Sequence, residues 1–147
     1  MISQKAKYAL RAMFALAEAT DDTPLRIADI AEAKAIPRKF LEQILLELKR
    51  QGLIVSRRGK MGGYQLLRSA DDITFGEVLR VVDGPLAPLP CLSKTAYHRC
   101  EDCQDEASCH IRRVFANVAE ATRDVLDRTS IADAIASGQT EAMLDAQ

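Results

Sequence analysis

The chain has 147 residues, of which 48% are apolar and 28% charged, the size and balance of one ordinary folded domain, or of one small domain plus an appendage, and not of a disordered or fibrous chain. No apolar run is long enough for a bilayer, and the first residues lack a cleavable apolar leader, so the expectation is a cytoplasmic protein without a membrane partner. The net charge of −1 hides an asymmetry: residues 1–70 hold thirteen Lys/Arg against seven Asp/Glu, and residues 71–147 hold seven against fourteen, so the first half is suited to a polyanion unless the skew is only chance among solvated faces.

Ser3 reads as an N-cap, and Ala6 to Ala17 follow with a helical period and a broad apolar face. The helix should end near residues 19–20, with Asp21-Asp22-Thr23-Pro24 as a turn. Residues 25–36 give a short second helix with Ile27, Ile30 and Ala31 as its buried stripe. Pro37 breaks that pattern and suits the first turn of a third helix, which runs to about Gln51 with Leu41, Ile44, Leu45 and Leu48 inside. The period then changes. Leu53-Ile54-Val55 and Tyr64-Gln65-Leu66-Leu67 are strand-like runs around a basic, Gly-rich connection, the pattern of a hairpin. Three helices and a hairpin in this order predict a mainly α fold with a small β-hairpin wing, a winged helix-turn-helix over residues 1–70.

Thr74 and Glu77 have capping-box spacing and open a fourth helix, which Gly84-Pro85 ends. Residues 84–104 read as a loop. A long helix is expected from about Asp105 to Arg128, with Ile111, Val114, Phe115, Val118, Thr122, Val125 and Leu126 as one stripe. Ser130 could cap a last short helix through Ala136. Residues 138–147 read as a flexible tail.

A DNA reader needs a helix for the major groove and cations for phosphates. The third helix carries Arg38, Lys39, Glu42 and Gln43 near its N-terminus, the end that usually meets base edges. Glu42 could accept from a cytosine amino group, and Gln43 could pair with an adenine edge; the alternative is a solvated polar face. In the hairpin, Arg57, Arg58 and Lys60 set three cations in four positions among glycines, with Tyr64 just beyond, a tip suited to phosphates or a narrow minor groove. There is no phosphate-binding loop motif, no Ser-His-Asp set, no His-Glu-x-x-His and no Gly-x-Ser-x-Gly, so neither an enzyme nor a small-molecule substrate is expected.

All four cysteines, Cys91, Cys100, Cys103 and Cys109, fall between residues 91 and 109 with spacing C-x8-C-x2-C-x5-C. In a cytoplasmic chain such clustering favours a metal, a cluster or a redox switch over a disulfide framework. Four thiolates suit zinc or iron–sulfur ligation, and softness alone does not separate these. His98 and His110 lie close by and read as surface imidazoles.

The segments Lys7-Tyr8-Ala9-Leu10-Arg11-Ala12, Ile27-Ala28-Asp29-Ile30-Ala31, Phe40-Leu41-Glu42-Gln43-Ile44-Leu45, Arg58-Gly59-Lys60-Met61-Gly62-Gly63-Tyr64 and Ile73-Thr74-Phe75-Gly76-Glu77-Val78 resemble the bacterial Rrf-two (Rrf2) family of regulators over about residues 1–135. The resemblance implies a homodimeric winged-helix transcription regulator, a repressor of an operator in double-stranded DNA. Its long C-terminal helix would pair with that of its partner, and its cysteine loop would sense iron, redox state or nitric oxide. It implies that Arg58 enters the minor groove and that Glu42 and Gln43 face the major groove. It further implies an iron–sulfur cluster, two-iron or four-iron, on the cysteines. Cys103 and Cys109 match the family's last pair, Cys91 matches its first, and Cys100 is extra, a candidate fourth ligand. Two alternatives accompany this reading: the same DNA-binding regulator with structural zinc or a thiol–disulfide switch, and a small electron carrier or cluster-transfer protein.

Overall fold

Short polar side chains write the helix starts. In a computed structural model, which describes residues 2–19 and 23–146, the Ser3 hydroxyl accepts from the Ala6 amide at 3.0 Å and opens α1 (Gln4–Glu18). The first half of the expected Asp21–Pro24 turn lies outside the described residues. Next come α2 (Ile27–Lys34) and α3 (Arg38–Arg50). The second helix starts two residues later than its period suggests, because the Leu25 backbone pairs with Tyr64 and not with a helix (N···O 2.7 and 3.0 Å). The α2–α3 turn is tight. Ala35 takes a left-handed conformation at φ 51°, and the Ile36 amide returns to the Ala31 carbonyl at 3.0 Å.

The strands β1 (Ile54–Arg57) and β2 (Gly63–Leu66) form one antiparallel hairpin, with Ile54 opposite Leu66 and Arg57 opposite Gly63. Helix α4 (Phe75–Asp83) has the capping box expected of it: Thr74 accepts from the Glu77 amide and Glu77 accepts from the Thr74 amide, both at 3.2 Å. A single 3₁₀ turn, Pro90–Leu92, interrupts the following loop. Two long helices close the chain, α5 (His110–Arg128) and α6 (Ile131–Asp145). Their starts depart from expectation in one case and agree in the other. Helix α5 begins at His110 and not near Asp105, because the Asp105 carboxylate accepts from the Ala107 and Ser108 amides, both at 3.2 Å, and folds that stretch into a turn. Ser130 caps α6 as read, through the Asp133 amide at 2.9 Å. The segment read as a flexible tail from residue 138 is helical to Asp145; α6 passes through Gly138 without a break.

The core lies where α1, α3, α4 and the base of the hairpin meet. Met13, Leu41, Ile44, Leu45, Leu48, Ile54, Val78 and Leu79 are almost fully buried there, with Ile30, Ile73 and Ile131. The predicted inner stripe of α3 is therefore the stripe the fold buries. The starts of α4 and α6 are stitched together by Phe75 N–H to Thr129 O at 3.0 Å and Ile131 N–H to Ile73 O at 2.8 Å. The architecture is mostly helical with a two-stranded wing, as expected. Among the described residues, no helix is long and apolar enough to cross a membrane.

Candidate nucleic-acid interface and cysteine loop

Burying Leu41, Ile44, Leu45 and Leu48 turns the opposite side of α3 outward. Arg38, Lys39, Glu42 and Gln43 are all exposed on it. Arg38 and Glu42, one turn apart, face each other at 3.7 Å, so the carboxylate is already partnered by a cation on its own helix. Phe40 is also half exposed and packs beside Tyr8 with the two rings tilted at 51° and their centroids 6.0 Å apart.

The hairpin divides its cations by position. Arg57 is the last residue of β1 and donates to the Gln65 side chain at 3.3 Å, while Arg58 and Lys60 stand exposed on the tip. The tip is latched to the start of α2 from two sides. Arg26 donates to the Lys60 carbonyl at 2.7 Å, and Tyr64 pairs through its backbone with Leu25. Tyr64, which the sequence reading grouped with the DNA contacts, is half-buried and packs against the core at the base of the wing. Gly63 makes the latch possible: a Cβ there would fall on the Leu25 carbonyl. The sequence reading did not single out Arg26. It stands outside the apolar period of α2, and only its distance to Lys60, 34 residues away, reveals its use.

The four cysteines occupy different environments. Cys91 is buried on the 3₁₀ turn, Cys100 is exposed, and Cys103 and Cys109 are half-buried. Loss of water around its sulfur raises the Cys100 thiol above the ordinary range. Cys91, Asp102 and Cys103 add to this, as does a hydrogen bond with the Cys91 thiol. Cys109 is the N-cap of α5, and its sulfur accepts from the Arg112 amide at 3.4 Å. Arg99 braces the middle of the loop by donating to the Cys103 and Gln104 carbonyls at 3.1 and 3.0 Å. Tyr97 donates to Glu106, which holds the phenol above its usual range. The Arg112 Nε is buried without a hydrogen-bond partner, 3.9 Å from Glu106.

Four thiols within residues 91–109 are a donor set of the right softness for zinc or an iron–sulfur cluster. Among the described residues, no group of three His, Cys, Asp or Glu side chains converges to hold a metal ion. Cys91 and Cys100 are brought together; the four cysteines are not gathered at one point. His98 and His110 are exposed, as read.

Helix α5 carries its apolar stripe outward. Ile111, Val114, Phe115, Val118 and Val125 are exposed, and Ala119 is the one residue of the helix that this chain buries.

Comparison with known proteins agrees with this architecture. The Rrf2 family, described as an iron-dependent transcriptional regulator, matches residues 2–137. A Rhodobacter capsulatus protein named as an rrf2-like regulator of the HTH type is 48% identical over 147 residues, covering 98% of each chain. The solved structure of CymR from B. subtilis, titled the global cysteine regulator, superposes with a TM-score of 0.77 at 31% identity, covering 93% of this chain and 97% of that one. That of T. potens IscR does so with a TM-score of 0.74 at 28% identity, covering 94% and 88%. With the helix-turn-helix, the latched wing and the outward stripe of α5 in place, the chain belongs to the Rrf2 family and is a transcriptional regulator.

Proposed function

We propose that this regulator binds operator DNA as a homodimer, with α3 in the major groove and the hairpin tip against the backbone or minor groove, and that the cysteine loop sets its affinity. The observation that carries the first part is the outward set Arg38, Lys39, Glu42 and Gln43, opposite the buried stripe of the same helix. Arg57, Arg58 and Lys60 add cations on the wing. The exposed stripe of α5 supports pairing with a second copy.

The mechanism of control follows from connectivity. The loop leaves α4 at Gly84 and enters α5 at Cys109. Helix α4 packs on α1 and α3, so a change in loop length or shape acts on the DNA-reading unit and the pairing helix together. The distance between two recognition helices must match the half-site spacing, so a small shift there changes affinity.

Two chemistries could drive the loop. The first is a cluster or zinc ion on Cys91, Cys100, Cys103 and Cys109; the family's iron-dependent description and the four thiols support it. The second is a thiol pair; Cys91 lies near enough to act on the Cys100 thiol, which supports those two as the pair. Oxidation by a peroxide would join those two sulfurs; the two thiols give up two electrons and two protons, and the peroxide leaves as two waters.

One experiment separates them. The protein is purified without oxygen, analysed for iron, acid-labile sulfide and zinc, and tested for DNA binding before and after chelation or peroxide. Matched iron and sulfide, with a DNA shift that changes on their removal, support the cluster. A metal-free protein that loses two titratable thiols to peroxide, and does not do so as Cys100→Ser, supports the pair. DNA binding that is identical in every state overturns control by the loop.

A further inference from the structure

Away from the DNA-reading surface and the cysteine sulfurs, one cavity collects positive charge that the chain does not use. It is about 260 Å³ in volume and lies where α4, α5 and the loop meet, with Pro85, Leu86 and Ala87 as its apolar wall. Arg80, Lys94 and Arg123 line it, with Asp127, Ser93 and Thr95. Arg80 is occupied, donating both guanidinium nitrogens to Asp127 at 2.7 and 2.9 Å. Lys94 and Arg123 are not. Both act through space on the Asp127 carboxylate, behind the Arg80 hydrogen bond, yet neither makes a side-chain hydrogen bond or ion pair among the described residues. The cavity therefore holds three cations against one carboxylate. On its outer side Asp124 is matched by Arg128 at 4.0 Å, and Glu120 is the one further acid there, so an excess of positive charge remains.

Ser93 adds a directional group. It is buried, and its hydroxyl oxygen accepts from the Ala96 amide at 2.8 Å, which leaves its proton for another acceptor. The cavity also lies clear of the stripe assigned to dimer pairing. Arg123 and Asp127 are five and nine residues past Val118, so at about 100° per residue they lie roughly 140° and 180° around α5 from it.

We propose that this cavity is an effector site for a small oxyanion metabolite, held by Lys94 and Arg123 and oriented by the Ser93 hydroxyl. Two cations with a buried hydroxyl in one cavity suit a carboxylate pair or a tetrahedral oxyanion, and the volume has room for either. Bound there, the anion bridges Lys94 on the loop to Arg123 on α5.

Calorimetric titration of the full chain tests this, with sodium sulfate, sodium phosphate and sodium malonate as separate probes at constant ionic strength set by sodium chloride. The expected result is saturable binding of one anion per chain for at least one probe. Preference for malonate over sulfate and phosphate identifies a dicarboxylate site, and the reverse identifies a tetrahedral one. The Lys94→Gln, Arg123→Gln double variant should lose roughly tenfold or more in affinity with an unchanged thermal midpoint. If that variant does not fold, Lys94→Gln alone, at an exposed and partnerless side chain, should still weaken binding severalfold. No saturable heat above the chloride control, or unchanged affinity in the variants, overturns the site. No DNA enters the measurement, so its failure leaves the DNA-binding reading untouched.

Discussion

The guanidinium of Arg80 on α4 and the carboxylate of Asp127 on α5 meet in a two-pronged ion pair, a side-chain tie between the helix that packs on α1 and α3 and the long helix α5. Gly76, one turn before Arg80, makes room for it; a Cβ there would fall on the Asp127 carboxylate. The pair is about a third exposed on each side, so it contributes modestly, about 0.5–1 kcal/mol. Hydrogen bonding from Arg80 is the main reason that Asp127 is held below the usual carboxylate range. A lowered folded-state pKa stabilises the fold above the unfolded value and ceases to do so as pH falls through the folded value. Asp127→Asn is therefore expected to lower the unfolding free energy by about 0.5–1 kcal/mol at pH 7, with the gap to the unaltered protein closing as the pH is lowered through the acid range. Denaturant titrations at neutral and acid pH check both parts.

The wing depends on a glycine packed against the backbone of Leu25. Gly63 lies against the Leu25 carbonyl, where an alanine would force β2 away from α2 and strain the Arg26 contact to Lys60. Gly63→Ala is expected to cost about 1–3 kcal/mol in stability and to weaken operator binding by more than the stability loss explains. Comparing the melting temperature with a DNA titration at a temperature where both proteins are folded separates the two effects. Equal DNA affinity in the variant would mean that the hairpin tip contributes nothing to binding.

The elements that were legible in the sequence are those whose signals are local. Thr74 with Glu77, Ser3 and Ser130 are short-range caps, and all three act as caps in the fold. The apolar period of α3 was legible because one side of that helix is wholly buried. The start of α5 was not, because its cap is a thiol, Cys109, outside the usual oxygen-bearing set, and because Asp105 makes a competing turn just before it. The length of α6 was hidden by Gly138 and by weak amphipathicity; Ala134, Ile135 and Ala142 line a groove with Phe14 of α1, a tertiary partner with no trace in the local sequence. The same limit applies to the candidate site. Spacing placed four cysteines close together in the chain, but it carried no information on which sulfurs meet; the Cys100 thiol feels both Cys91 and Cys103.

The cations of the wing and of α3 should differ in kind when removed. If Arg58 on the exposed tip meets phosphate or the minor-groove edge, Arg58→Gln weakens binding to operator and to unrelated DNA alike and reduces the salt dependence of the binding constant by about one unit of slope per lost phosphate contact. Gln43→Ala, on the outward side of α3, should instead narrow the difference between operator and unrelated DNA by about 1–3 kcal/mol while leaving the slope nearly unchanged. Binding isotherms at several salt concentrations on both DNAs give all four quantities. A slope that does not move for Arg58→Gln would remove that residue from the interface.

The outward stripe of α5 bears on assembly. Ile111, Val114 and Val125 are each more than 60% exposed in the single chain, on a helix of which only Ala119 is buried. A helical period of apolar residues left facing water is stable when a second apolar surface covers it, and a second copy of α5 offers the same stripe. Val114 stands away from the core, so a charge there should leave the fold of the monomer intact while placing an uncompensated carboxylate in a desolvated seam. On the proposed dimer, Val114→Asp is therefore expected to sediment as a monomer at concentrations where the unaltered protein pairs, with an unchanged helical circular dichroism signal. A dimer that uses two half-sites gains from both recognition helices at once, so the monomer should also lose operator affinity by at least about a hundredfold. A variant that still sediments as a dimer would move the pairing surface off this stripe, and one that is monomeric yet binds operator as tightly as before would separate assembly from DNA recognition.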